Sequence, residues 1–313
     1  MPSAIFILIS GILWGIMGLF VKRLTDLDFT SIEISALRWI FSAVLLLLFV
    51  VLTDRKKLHV KPRDLPKFAA SGILGMLALS TLLYMSMGYT SIAVADVLMY
   101  TSPIWVLISS VPLFGERLDR LKIIAVLSAF LGCAFVCGLF DGDAMNVSLP
   151  GILCGLGSGI AYASYSIVGK FILRDYSGMT LTLWSSVFAG LGALFLIDVP
   201  DVAWRITGSP VSLVYVLLIA VMCTITPFFL YSLGLRSCTA SKAAVLACAE
   251  PVTAAVISVI SGEPFHITLV IGMALVISAI ILLQINREGK QPCTTSKPEF
   301  SSTNGRTTNQ RPR

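Results

Sequence analysis

The sequence predicts an all-α integral membrane protein whose ten transmembrane helices form two inverted-topology five-helix repeats. Three observations predict it. Of 313 residues, 56% are apolar and only 13% charged, whereas a soluble domain of this length carries far more charge on its surface. The apolar residues fall in runs of about 20, greasy all round and without the polar face of a soluble helix. Finally, an ordered series of residues in the first half recurs in the second at a nearly constant offset. Lipid offers no partner to backbone N–H and C=O groups, so the runs must be helices; the alternation of a membrane barrel is absent.

The first run, 4–21, has no basic segment before it and no convincing small-residue cleavage site, so it is a span and not a leader. The second, 32–52, opens at Glu33 and carries Arg38 about two turns in; that pair reads as structural. A basic loop then leads to 68–89, and the Thr90–Ser91 pair separates it from 92–114. Gly115–Glu116 ends that span, and 121–140 completes the first five. The second five run over 151–171, 179–199, 213–235, 239–261 and 267–285. Each can cross a hydrocarbon layer of about 30 Å at about 1.5 Å per residue. The expected units are 1–143, 144–286 and a polar, disordered cytoplasmic tail over 287–313.

Orientation follows from the basic residues. With the N-terminus in the cytoplasm, eighteen Lys and Arg fall on inner segments and three on outer loops (Lys22, Arg23 and Arg205). That bias places both termini inside a cell membrane, although Lys22 and Arg23 locally argue the other way. The net charge of +6 is therefore topology and calls for no nucleic-acid partner.

The repeat is visible in "ILWGIMGLFVKRLTD" against "GIAYASYSIVGKFILRD", where an offset of 148 sets Gly11 on Gly159, Trp14 on Tyr162 and Lys22 on Lys170. At offsets of 147 or 148, Tyr84 meets Tyr231, Pro103 meets Pro251, and Gly115–Glu116 meets Gly262–Glu263. Five spans per half is an odd number, so the halves enter the membrane in opposite senses, as in secondary transporters with a site at the repeat interface.

Candidate site residues follow from chemistry that is costly in oil. Pro103 and Pro251 lack an N–H and should break or kink their helices, freeing the carbonyls of Met99 and Ala247. Glu250 stands at mid-span, where a charge costs on the order of 2.5–3.5 kcal/mol. Lys242, eight residues earlier, shares a broad face with it but lies about 12 Å away along the axis, too far to pair. It can instead reach the interface with its stem in lipid. Asp96, Tyr100 and Pro103 share a stripe, and Asp96 also suits a helix N-terminus. Trp14, Tyr84, Tyr100, Thr101, Trp105, Tyr162, Tyr165 and Tyr231 complete the expected substrate-binding set; a deep tyrosine hydroxyl needs a partner, which a cavity would supply, though each alone also reads as packing. The runs Gly11-x-x-x-Gly15 and Gly151-x-x-x-Gly155-x-x-x-Gly159 permit close helix contact and leave a homodimer open.

The seven cysteines include no CxxC pair and there are two histidines, so neither a metal site nor a disulfide frame is expected, and no cofactor. No HExxH, GxSxG or P-loop occurs, which argues against an enzyme or a nucleotide-driven pump.

The stretches "LLYMSMGYTSIAVADVLMYTSPIWVLISSVPLFGERL" and "YSLGLRSCTASKAAVLACAEPVTAAVISVISGE", with Trp14–Gly15 and Arg38, resemble the drug/metabolite transporter superfamily in its ten-helix EamA-type branch over about residues 4–285. The resemblance implies two packed repeats around a central cavity lined by the first, third, fourth, sixth, eighth and ninth spans. It implies alternating-access movement of small metabolites such as amino acids. Asp96 and Lys242 lie outside the general pattern and would mark this member's specificity. The expected function is a secondary transporter, read as an exporter, with a small-molecule substrate, a proton as candidate coupling ion, and the bilayer as solvent. The alternative is a non-transporting membrane receptor or a membrane-embedded enzyme.

Overall fold

A computed structural model describes residues 2–140, 148–260 and 266–285. The described residues form helices joined by short turns, with no strand among them. In chain order the α-helices are α1 (Pro2–Gly15), α2 (Met17–Thr25), α3 (Ser31–Thr53), α4 (Leu65–Ala69), α5 (Leu79–Tyr89), α6 (Ile92–Met99), α7 (Ser102–Phe114) and α8 (Arg120–Val136). There follow α9 (Leu149–Ile172), α10 (Gly178–Ala193), α11 (Val199–Gly208), α12 (Pro210–Ala220), α13 (Thr226–Ser237), α14 (Ala240–Ala247), α15 (Ala249–Ile260) and α16 (Ile267–Ile285).

Seven continuous helical stretches among the described residues are long and apolar enough to cross a membrane: Ser3–Thr25, Ser31–Thr53, Pro62–Tyr89, Ile92–Phe114, Leu149–Ile172, Pro210–Ser237 and Ala240–Ile260. Two expected spans are shorter: the helices α8 and α10 hold 17 and 16 residues, whereas α16 keeps the expected bounds with 19. At about 1.5 Å per residue, 16 residues reach about 24 Å, less than a typical hydrocarbon core. The expected Gly262–Glu263 counterpart, the unit boundary near 143 and the tail over 287–313 lie outside the described residues.

Local sequence sets most helix ends. Thr30 and Glu33 form a reciprocal capping box at the start of α3. Ser91, Ser148, Ser177, Ser209 and Thr239 each cap a helix through the side-chain oxygen. Gly115, at φ 65°, closes α7 in the left-handed region that glycine tolerates. Two π-helical stretches, Ala70–Ala78 and Val221–Ile225, carry no signal in composition. Residues 221–225 fall on 73–77 at the offset of 148, so the distortion recurs at matched places.

The packing intertwines the halves. In the first half, α1 lies against α13, α14 and α15; in the second, α9 lies against α5, α6 and α7. The helices α3 and α10 pair, and α8 pairs with α16. At the last crossing a Cβ on Gly272 would sit 2.7 Å from the Gly132 carbonyl oxygen, so only glycine lets these backbones meet.

Both ends are tied by charge. Glu116 and Lys122 form a buried ion pair of 3.0 Å. The same carboxylate accepts from the Ala240 N–H at 2.9 Å and the Ser241 hydroxyl at 2.7 Å, holding the first turn of α14. On that end Lys170 donates to the Leu235 carbonyl at 2.6 Å and to that of Cys238. At the other end Arg205 pairs with Glu33 and Asp201, and it also donates to the Asp28 carbonyl.

Candidate functional site

The expected kinks at Pro103 and Pro251 are outright breaks. Tyr100 and Thr101 separate α6 from α7, and Cys248 separates α14 from α15. Each proline falls in the first turn of the following helix, where an absent N–H leaves nothing unbonded. Thr101 Oγ1 satisfies the Leu98 carbonyl at 2.6 Å and receives the Trp105 indole N–H at 3.0 Å. The carbonyls of Met99 and Ala247 accept no hydrogen bond among the described residues.

What covers those carbonyls is glycine. A Cβ on Gly159 of α9 would lie 3.1 Å from the Met99 oxygen, and one on Gly11 of α1 would lie 3.2 Å from the Ala247 oxygen. At Gly15 a Cβ would come within 2.6 Å of the Glu250 carbonyl oxygen. The glycine runs therefore pack inside the chain, each half's first helix against the other half's break.

Beside these breaks stand two acids. The carboxyl groups of Asp96 and Glu250 are half-buried and have no hydrogen-bond or ion-pair partner among the described residues. The backbone at Glu250 packs on α1, where a Cβ on Gly11 would lie 3.1 Å from the Glu250 nitrogen. The helix α15 also lies against α8 and α16.

Three further polar tips lack a partner. Trp14, Tyr100 and Tyr162 are 6%, 6% and 8% exposed. Neither the indole N–H nor the two hydroxyls has a partner among the described residues, yet none is sealed from a water-sized probe. Trp14 stands edge-on to Tyr162 with ring centroids 6.2 Å apart. It also meets Phe228 at 5.0 Å and Tyr231 at 5.7 Å.

The remaining expected residues divide. Tyr165 and Tyr231 are fully buried, and their hydroxyls are already bonded to Ser232 at 3.1 Å and Ser166 at 2.7 Å, so here they serve as packing. Thr101 and Trp105 are occupied with each other at the first break. Tyr84 and Lys242 are half-buried.

Sequence reasoning undervalued Arg38. Its guanidinium donates to Met17 Sδ at 2.9 Å and Ser80 Oγ at 2.8 Å and lies 4.5 Å above the Trp39 ring. Its Nε remains buried without a partner. The signal was there, since an arginine inside a span is rare. Phe228, wedged between Trp14, Trp39 and Tyr165, had none. A surface groove of about 450 Å³ bordered by Lys67, Phe171 and Arg174 holds none of these residues. Among the described residues no His, Cys, Asp and Glu group could hold a metal ion.

The chain is similar to known proteins over most of its length. A transporter of Archaeoglobus fulgidus, described as uncharacterized, is 28% identical over 86% of this chain and 94% of its own. The uncharacterized transporter YwfM of Bacillus subtilis is 25% identical over 90% and 93%. The uncharacterized inner membrane transporter YicL of Salmonella typhimurium is 22% identical over 90% and 94%. A solved crystal structure superposes with a TM-score of 0.74 over 90% of this chain and 96% of that one; at 16% identity the likeness is one of fold. The model of the EamA-like transporter family matches residues 1–138 and 149–285. With its helices long enough to span lipid and this match over nearly the whole membrane region, the chain is a multi-pass membrane protein and belongs to the EamA-like transporter family.

Proposed function

We propose that the protein is a secondary transporter that exports small metabolites, amino acids and their relatives among them, by alternating access. Its ten helices would form two inverted five-helix repeats, residues 1–143 and 144–286, with both termini in the cytoplasm. The family match over two stretches of near-equal length supports the duplication, as do the breaks and π-helical stretches at one offset.

One observation carries the reading. Two carboxyl groups, those of Asp96 and Glu250, stand without a partner among the described residues beside two broken helices. Uncompensated acids inside a membrane are costly, so they are kept for what they bind. A solute bound there would cross when the contacts at one end close and those at the other part. Glu116, Lys122 and Lys170 would hold one end, and Arg205 with Glu33 the other.

Liposomes containing the purified protein and loaded with a metabolite extract should release a subset of solutes that protein-free liposomes retain. Glu250→Gln should slow that release on the order of tenfold, the worth of one charge-assisted contact. Unchanged release by the variant would remove Glu250 from the pathway. No release from wild-type liposomes would remove the transporter reading itself.

A further inference from the structure

We propose that the surface groove between α4 and the end of α9 binds one anionic phospholipid, taking its headgroup and upper acyl chain, in preference to a zwitterionic one. The site goes beyond the transport reading and does not depend on it, because none of its lining residues belongs to the helix breaks.

The groove holds about 450 Å³ and lies at one end of two spans. Pro66, Lys67 and Ala70 belong to the first turns of the stretch Pro62–Tyr89, and Val168 and Phe171 to the last turns of α9. Arg174 and Asp175 follow just beyond that helix. The floor is therefore apolar and the rim charged. Apolar surface continues from the floor along both spans. Leu74, one turn past Ala70, is 55% exposed, and Ile160, two turns before Val168, is 50% exposed. In a chain that crosses the bilayer, exposed Leu and Ile on the flank of a span meet acyl chains. A lipid tail finds a path there that a soluble anion has no use for.

The rim selects the headgroup. The Arg174 guanidinium stands 4.8 Å from the Phe171 ring centroid and 5.7 Å from that of Phe114, and the two rings are 4.8 Å apart. The rings hold the cation in place, yet none of its five N–H groups meets an acceptor among the described residues. A planar fork of free donors matches a phosphodiester. On the other bank, Lys67 Nζ lies 2.7 Å from Asp64. That carboxylate accepts from the Tyr176 hydroxyl at 2.8 Å, and the Tyr176 ring meets Phe68 at 5.3 Å. These contacts tie the chain after α9 to α4, so both banks are fixed before a ligand arrives. Asp175 is the one acid on the lining, against the two cations. Around the groove, the segment 54–67 carries six basic residues and two acids, and a basic cluster beside a span draws anionic headgroups. A zwitterionic headgroup brings its own ammonium, which these cations repel.

The test counts retained lipid. Purified full-length protein is stripped of lipid in detergent and incubated with equal amounts of phosphatidylglycerol and phosphatidylcholine carrying the same acyl chains. Native mass spectrometry then reads which lipid stays bound. Arg174→Gln removes the free fork, and Val168→Trp fills the floor without changing charge. Lys56→Gln removes a charge from the same basic segment outside the groove. Thermal unfolding of each variant checks its fold, and if Val168→Trp does not fold, Arg174→Gln on the exposed rim decides alone. The expected result is one phosphatidylglycerol retained at least about fivefold over phosphatidylcholine, with that preference lost in Arg174→Gln and Val168→Trp and kept in Lys56→Gln. Equal retention of the two lipids would overturn the proposal. So would equal losses in Lys56→Gln and Arg174→Gln, the mark of diffuse attraction to a basic surface. Displacement of the lipid by inorganic phosphate at equal concentration would mean a free-anion site and would overturn it as well. Solute release from extract-loaded liposomes is scored separately, so loss of lipid preference leaves the transport reading standing.

Discussion

Replacing Lys122 with methionine should destabilise the protein more than replacing Glu116 and Lys122 together. The Glu116 and Lys122 side chains are 5% and 1% exposed and lie 3.0 Å apart. Without Lys122, the carboxylate keeps two donors, the Ala240 N–H and the Ser241 hydroxyl. Those are neutral dipoles, and a buried acid loses its one full opposite charge. Breaking one side of a buried pair costs about 3–5 kcal/mol, whereas removing both charges is often close to neutral. Glu116→Gln retains an oxygen for Ala240 or Ser241, so the double variant keeps most of the grip on α14. Its cost should be on the order of 1–2 kcal/mol, the worth of one bond to a charged group. A double-mutant cycle therefore predicts a coupling of about 2 kcal/mol or more. Reversible unfolding in mixed detergent micelles, followed by tryptophan fluorescence, would measure all four proteins. Strict additivity, with the double variant as unstable as the sum of the single ones, would refute the idea that charge compensation holds this end.

The glycine crossings and the packed tyrosines supply two further predictions. Gly15→Val should push α1 off α15, because even its Cβ would lie 2.6 Å from the Glu250 carbonyl oxygen; the expected loss is about 1–3 kcal/mol in unfolding together with lost solute release, while Gly18→Val, where nothing lies within 4 Å, should leave both intact. Tyr231→Phe should cost about 1 kcal/mol by removing its bond to Ser166, yet leave solute release from extract-loaded liposomes unchanged; a large fall in release would return Tyr231 to the site.

Much of the architecture was legible because lipid makes simple demands. A charge at position 250, an arginine at 38 and prolines at 103 and 251 stand out against apolar runs, and the two prolines fall just after helix breaks. Helix length was less legible. The 17 residues of α8 and the 16 of α10 fall short of the runs that hydropathy delimits, since exposed apolar residues such as Phe195 continue past the helix end. Side-chain roles were least legible. Nothing in the sequence separates Tyr162, whose hydroxyl is unpartnered, from Tyr165, whose hydroxyl meets Ser232. They lie three residues apart on one helix, and the difference depends on a serine of α13 that only the fold brings near.

The same physics explains why the acids sit where they do. A continuous helix in lipid has no unmet backbone polarity in its middle, so it gives an acid nothing to settle against. A broken one exposes carbonyls, and these must be covered by something with no side chain of its own. Here Gly11 covers Ala247 and Gly159 covers Met99, each reaching across from the opposite half. The cover is steric and not bonded, so the halves can slide at these points without rupturing a hydrogen bond. Asp96 lies one turn before the first break and Glu250 just after the second. Relative motion of the halves would therefore alter the spacing of the two acids directly.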